Sequence, residues 1–137
     1  MYVQSYLFFS GRCDEALGYY EKHLGAKIHA KMRYGDAPPD QRPNSDAASD
    51  HIMYSNFSIG DTVLMASDDC INTNTKFQGF SLSLSVNTKD EAERAFNALA
   101  DGGQVHAPLS ETFFSPYFGM VVDRFGISWM VLIPGQQ

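Results

Sequence analysis

The stretch Phe80-Ser-Leu-Ser-Leu-Ser-Val86, with Thr88-Lys-Asp-Glu91 behind it, decides the fold, because it restarts a pattern already present near the beginning of the chain. Strict alternation of apolar and hydroxyl residues predicts a strand with one polar face. Thr88 followed three residues later by Glu91 fits a capping box, in which each side chain satisfies the other's free amide. The helix that follows would bury Ala92, Ala95, Phe96 and Leu99 and stop at Gly102. Gln104–Leu109 resumes as a strand. The chain then closes with two apolar runs, Tyr117–Val122 and Ile127–Ile133, flanking Asp123-Arg-Phe-Gly126. Asp starts turns and Gly accepts positive φ, so this is a β-hairpin with a four-residue connection. Its Trp129, the only tryptophan in the chain, is expected in the core.

Working back towards the start, the same order of elements is found. Gln4–Phe9 is a short strand. Cys13–Leu24 places Ala16, Leu17, Tyr20 and Leu24 at helical spacing, and Gly25 is the stop signal. Lys27–Tyr34, Ile52–Ile59 and Thr62–Ala66 are strands, the last two joined across Gly60-Asp61. Gly35–Asp50, rich in Pro and Asp, is a surface loop and the candidate for a mobile lid or a disordered segment. Ser67–Gln78 is polar and has the character of a linker. Asp14-Glu15-Ala16 matches Asp90-Glu91-Ala92, Tyr20 matches Phe96, Gly25 matches Gly102, and Ile28-His29-Ala30 matches Val105-His106-Ala107. The chain is therefore a single α+β domain over 1–137 made of two βαβββ modules, 1–68 and 79–137, with a linker at 69–78.

Composition narrows the function classes. At 137 residues, 44% hydrophobic and 19% charged, the chain has the content of a soluble globular domain. A net charge of −6 without a Lys/Arg cluster argues against nucleic acid or an anionic membrane as partner. The first residues read as a strand and not as a signal peptide, and no apolar run approaches the ~20 residues of a membrane span. Cys13 and Cys70 lack ligand spacing and are expected as free thiols in a reducing cytoplasm.

Paired βαβββ modules resemble the vicinal oxygen chelate superfamily, which includes glyoxalase I, bleomycin-resistance proteins and extradiol dioxygenases. The run Tyr6–Tyr20, Leu24-Gly-Ala26, Tyr34–Pro38, Gly79-Phe80, Glu111-Thr112 and the Phe118-Gly119…Asp123…Phe125-Gly126…Trp129 series together resemble its PhnB-like branch over nearly the whole chain. The resemblance implies curved mixed sheets with helices on the convex side and a ligand cleft on the concave side. Alternation then assigns Gln4, Tyr6 and Phe8, Ser81, Ser83 and Ser85, and Ser128, Met130 and Leu132 to the cleft. Leu82, Leu84, Val86, Trp129, Val131 and Ile133 would face the helices.

Metal-using members of the superfamily place His, Gln or Glu ligands on four cleft strands. Carried over position by position, these are Gln4, Leu64 (or Met65 if the register slips by one), Ser81 and Met130. Only Gln4 could ligate a divalent ion, and a site needs about three protein ligands, so no cofactor and no metal centre of the family type is expected. His23, His29, His51 and His106 show no ligand spacing. The PhnB-like group is sometimes labelled as methyltransferase-like, but the Gly-rich strand–helix turn of a Rossmann-type enzyme is missing.

Two functional readings follow, beside a plainer third in which the cleft is filled by its own side chains and the dimer surface is the functional feature. In the first, a cleft lined by Tyr6, Phe8, Leu64, Phe113, Phe114, Tyr117, Met130 and the serine row binds a small organic molecule, as bleomycin-resistance relatives do. In the second, the chain is a lyase, isomerase or dioxygenase-like enzyme, metal-dependent through Gln4 or metal-free with Glu111 as base. Phe113, Phe114, Tyr117 and Phe118 would favour such a base by desolvating its carboxylate. The resemblance and the open edges of the half-sheets also imply a homodimer, in which modules can be exchanged.

Overall fold

In the computed structural model, residues 1–41, 48–69 and 74–135 are described. They form two compact units, Met1–Thr75 and Lys76–Gln137. The first contains strand β1 (Tyr6–Phe9), helix α1 (Cys13–Leu24), and strands β2 (Lys27–Arg33), β3 (Ile52–Ile59) and β4 (Thr62–Asp68). The second contains β5 (Leu82–Ser85), α2 (Lys89–Ala100), β6 (Gln104–Ser110), β7 (Tyr117–Val122) and β8 (Ser128–Ile133). Each unit has one four-stranded sheet, in the order β1-β4-β3-β2 and β5-β8-β7-β6. The strand before each helix pairs in parallel with the last strand of its unit, and the remaining pairs are antiparallel. The repeated strand–helix–three-strand order thus gives two mixed sheets.

Helix α1 buries Cys13, Ala16, Leu17 and Tyr20, a stripe at helical spacing. It meets Leu7, Phe9, Phe57, Leu64 and Ala66, all buried on one side of the first sheet. Each large apolar side chain buried in this way contributes about 1.5–3 kcal/mol. The helix ends because Gly25 takes φ of 69°, and the Ala26 amide then turns back to the Tyr20 carbonyl at 3.2 Å. In the second unit, α2 buries Ala92, Ala95, Phe96 and Leu99 against Val121, Trp129 and Val131. Phe96 lies so close to β7 that a Cβ at Gly119 would stand 2.7 Å from its ring. Only glycine fits there without a shift.

The two helices begin differently. Thr88 Oγ1 accepts the Glu91 amide at 3.2 Å and donates to Glu91 Oε1 at 3.1 Å. The carboxylate therefore takes the hydroxyl proton, where the capping-box pattern predicts the Thr88 amide. Helix α1 has Arg12 at its N-cap and no side-chain cap. Its first amides are served from the far end of the unit: Asp68 Oδ1 accepts from Gly11 N at 2.7 Å and Cys13 N at 3.0 Å. Asp68 Oδ2 accepts from Ile52 N at 2.9 Å, and the Asp68 carbonyl accepts the Tyr34 hydroxyl at 2.8 Å.

Several strand limits differ from expectation. β4 runs on through Ser67 and Asp68, both buried, although their polarity suggested the start of a linker. β1 begins at Tyr6, with Ser5 O still accepting from Met65 N at 2.9 Å. Short 3-10 turns occupy Tyr34–Asp36 and Pro39–Gln41 within the expected loop. Residues 42–47 of the proposed lid lie outside the described residues, as does Cys70. Cys13 is free and fully buried.

Candidate functional site

Each sheet has one face covered by its helix and one open face. Strand pairing and alternation sort the candidate residues between them. In the first unit Leu7 and Phe9 are buried, whereas Tyr6 is 37% and Phe8 is 48% exposed. The Tyr6 and Phe8 rings lie 4.7 Å apart, and Tyr6 Oη donates to Ser67 Oγ at 3.1 Å. Met65 pairs with both Tyr6 and Asn56 and so shares their face. Leu64 pairs with Phe57 on the helix side and is only 6% exposed. The residue presented at that step is thus Met65, not Leu64. The two-residue turn Gly60-Asp61 fixes this register by setting Ile59 opposite Thr62, a signal available in the sequence.

The open face of the first sheet also carries Tyr54, Asn56, Ser58 and His29, which sequence reasoning did not include. Asn56 Nδ2 donates to Tyr54 Oη at 2.9 Å. His29 sits at a β-bulge between the pairs Ile28/Phe57 and Ala30/Asn56, and its Nε2 lies 2.9 Å from Ser58 Oγ. The bulge turns the ring to the Ser58 side. Gln4 precedes β1 and is half-buried.

In the second unit Ser83 pairs with Met130 and Ser85 with Leu132. Ser81 Oγ and Ser128 Oγ are 2.7 Å apart, which places them on the same face. Ser83 and Ser85 are exposed, and Ser81, Ser128 and Met130 half-buried. Met120 stands opposite Met130, and Phe118 opposite Leu132. Phe114 packs edge-on against Phe118 at 5.0 Å and Phe113 edge-on against Phe114 at 5.2 Å, with Phe113 fully exposed.

Tyr117 does not join this group. It pairs with Ile133 on the helix side, where its hydroxyl donates to Glu93 Oε1 at 3.0 Å and Lys89 Nζ lies 5.4 Å from its ring centre. The hydrogen bond to Glu93 holds the Tyr117 phenol above its usual titration range. Glu111 is exposed just beyond β6 and lacks the apolar enclosure that a desolvated base needs.

The buried carboxylates are structural. Asp123 Oδ1 accepts from Phe125 N at 2.9 Å and Ile127 N at 3.0 Å, and Oδ2 accepts from Trp129 Nε1 at 2.8 Å. This explains why the sole indole can be buried at 3% exposure: its one donor has a charged partner. Among the described residues no group of three or more His, Cys, Asp or Glu side chains is arranged to hold a metal ion. Among the described residues no helix is long and apolar enough to cross a membrane.

These features can be set beside known proteins. Residues 2–132 match the family model described as 3-demethylubiquinone-9 3-methyltransferase. Protein YjdN of Escherichia coli K12 is 31% identical, over 100% of this chain and 98% of its own. The crystal structure of protein PA1353 from Pseudomonas aeruginosa superposes with a TM-score of 0.87 at 41% identity, covering 99% of both chains. A Bacillus cereus structure described as a putative 3-demethylubiquinone-9 3-methyltransferase, PhnB protein, gives 0.83 at 25% identity, covering 97% of this chain and 99% of that one. In fold alone, a glyoxylase/bleomycin resistance protein/dioxygenase domain from Frankia sp. gives 0.70 at 15% identity, over 99% and 93% of the two chains. With the mixed βαβββ sheets, these matches show that the chain belongs to the 3-demethylubiquinone-9 3-methyltransferase family, in its PhnB-like branch, with the fold of glyoxalase/bleomycin-resistance proteins.

Proposed function

We propose that the protein binds a compact, partly aromatic organic molecule on an open sheet face, without a metal centre of the superfamily's usual type. The observation that carries this is the Tyr6–Phe8 pair, two large aromatic rings in mutual contact but left outside the core. Exposed apolar surface of this kind marks interaction sites, and a flat ligand stacked there would be removed from water. Hydroxyls at Ser81, Ser83, Ser85 and Ser128, with Met130 among them, supply the same mixture of apolar wall and polar handle on the second sheet. At the four positions that correspond to superfamily ligands stand Gln4, Met65, Ser81 and Met130, a set with no carboxylate or imidazole.

Methyl transfer, which the family description names, is not supported by the architecture. The nucleotide-binding fold used for it has a doubly wound parallel sheet with a Gly-rich first turn. Both sheets here are mixed, with a single parallel pair each. The enzyme reading through Gln4 or Glu111 gains nothing from the position of either side chain.

A thermal-shift series with planar aromatic and glycopeptide compounds tests the proposal, because a molecule bound only by the folded state raises the melting temperature. A shift in the parent protein that disappears in Tyr6→Ala/Phe8→Ala, with the ligand-free fold intact, supports it. Equal shifts in both proteins would move the ligand elsewhere. The protein is further proposed to act in the cytoplasm as a homodimer, and light scattering of the purified chain would check the dimer.

A further inference from the structure

The open faces of the two units carry related but unequal groups at equivalent steps. In the first sheet the bulged His29 lies beside Asn56, which pairs with Met65. In the second sheet a bulge falls at the matching place, between Val105/Val121 and Ala107/Met120, and leaves out His106. Met120 pairs in turn with Met130. One thioether in the first unit has thus become two in the second.

Three points make this more than a coincidence of register. Directly opposite residues in an antiparallel pair have Cβ atoms about 4.5–5.5 Å apart, so the sulfurs of Met120 and Met130 can converge on one point. In a bulge of this kind the extra residue and its successor oppose a single partner residue, which turns His106 to the Met120 side. His29 shows that outcome directly, since its ring reaches Ser58 on the open face. Where the first sheet has Ser58, next to Phe57, the second has Val122, next to Val121, and valine offers no hydrogen bond. Among the described residues no hydrogen bond engages the His106 ring, and both methionines are half-buried, hence reachable.

We propose that His106, Met120 and Met130 form a binding site for a soft monovalent cation, Cu(I) or its analogue Ag(I). Thioethers are neutral, polarisable ligands that select Cu(I) and hold hard or borderline divalent ions poorly, while imidazole suits copper. With one imidazole and neither thiolate nor carboxylate, the site falls short of the ligand set of Zn(II), and it offers Mg(II) and Ca(II) no oxygen ligand. It does not depend on the organic-ligand reading, whose carrying observation is the Tyr6–Phe8 pair in the other unit, although Met130 stands in both.

The test is anaerobic transfer of Cu(I) from a chromophoric bicinchoninate complex to the purified full chain. Met120→Leu/Met130→Leu keeps side-chain volume and so the fold. It is expected to bind one equivalent fewer than the parent, or to bind that equivalent at least about tenfold more weakly, as is His106→Ala. Met65→Leu is expected to change nothing, and comparison at fixed thiol content cancels any copper held by Cys13 or Cys70. Unchanged transfer in the double variant, equal loss in Met65→Leu, or displacement by Zn(II) would each overturn the proposal. A second measurement needs no variant. Ag(I) should protect Met120 and Met130 together from peroxide oxidation, read by mass spectrometry, and leave Met32 and Met65 unprotected. Uniform protection of all four, or of none, would also overturn it.

Discussion

The first and second units share a topology but are held closed at different places. In the first, the carboxylate of Asp68, at the end of the last strand, gathers amides from Gly11, Cys13 and Ile52. In the second, Asp123 gathers Phe125, Ile127 and the Trp129 indole within one hairpin, and Thr88 caps the helix locally. The first unit therefore makes its helix start depend on a residue 55 positions away, and the second keeps each such task within a few residues. An oxygen acceptor at a helix N-terminus is favourable from either source, since it meets free amides, and the Asp68 carboxylate also meets the positive end of the helix dipole. What differs is when in folding the contact can form. Thr88 can cap as soon as its helix exists, whereas Asp68 must wait for the parallel pairing of β1 with β4.

This contrast can be broken most severely at the carboxylates. Asp123→Ala leaves three buried donors without their acceptor, and Asp68→Ala leaves two buried donors and a part-buried one, and each is expected to cost about 3 kcal/mol or more. Chemical denaturation of the two variants measures this. A loss below about 1 kcal/mol in either would show that water replaces the carboxylate there. Asp68→Ala should also slow refolding less than it speeds unfolding, if its contact forms late.

An intermediate effect is expected at high pH. Burial, and then the Asp68 charge, push the Cys13 thiol from 9.0 up to about 12. The folded state therefore keeps this proton while the unfolded chain releases it. Stability from the neutral thiol is complete below 9.0 and is lost progressively as pH rises towards about 12. Cys13→Ala should flatten the stability profile across that window, whatever its effect at neutral pH. An unchanged alkaline slope would place the loss in other groups.

The smallest effect sharpens the comparison from the local side. Thr88→Ala removes an exposed cap and should cost about 1 kcal/mol, less than the loss of Asp68 at the equivalent helix. Equal costs would mean that the distant carboxylate contributes no more than an ordinary cap.

How far the sequence could be read follows the same division. Local signals were legible: Gly25 ended α1, Thr88 began α2, and Asp123-Gly126 turned the final hairpin. The alternation of Phe80–Val86 separated the exposed Ser83 and Ser85 from the half-buried Leu82 and Leu84. Asp68 was hidden because a polar residue followed by Asp69, Asn72 and Asn74 looks like a loop until its partners, 16 to 57 residues away, are known. Tyr117 was assigned to the ligand face by its aromatic neighbours, although its strand parity with Gly119 and Val121 puts it with the helix. On β3, Tyr54 and Asn56 gave no alternation clear enough to mark a face. The bulges at His29 and His106 were visible only as a repeated tripeptide, since an unpaired residue carries no signature until its sheet partner is assigned.

One further consequence comes from Asp68. The chain leaves the first sheet at Tyr34 and re-enters it at Ile52, and both residues are fastened to Asp68, one through its carbonyl and one through its carboxylate. Tyr34 N also bonds to His51 O at 3.0 Å, and Gly35 N to Ser49 O at 2.8 Å, closing the neck of the excursion. A segment tied off at its base can be lengthened, shortened or exchanged with little penalty to the sheet, because loop closure depends only weakly on loop length. The fold thereby offers a position at which new sequence, and new specificity, could be spliced in while the body of the protein remains unaltered.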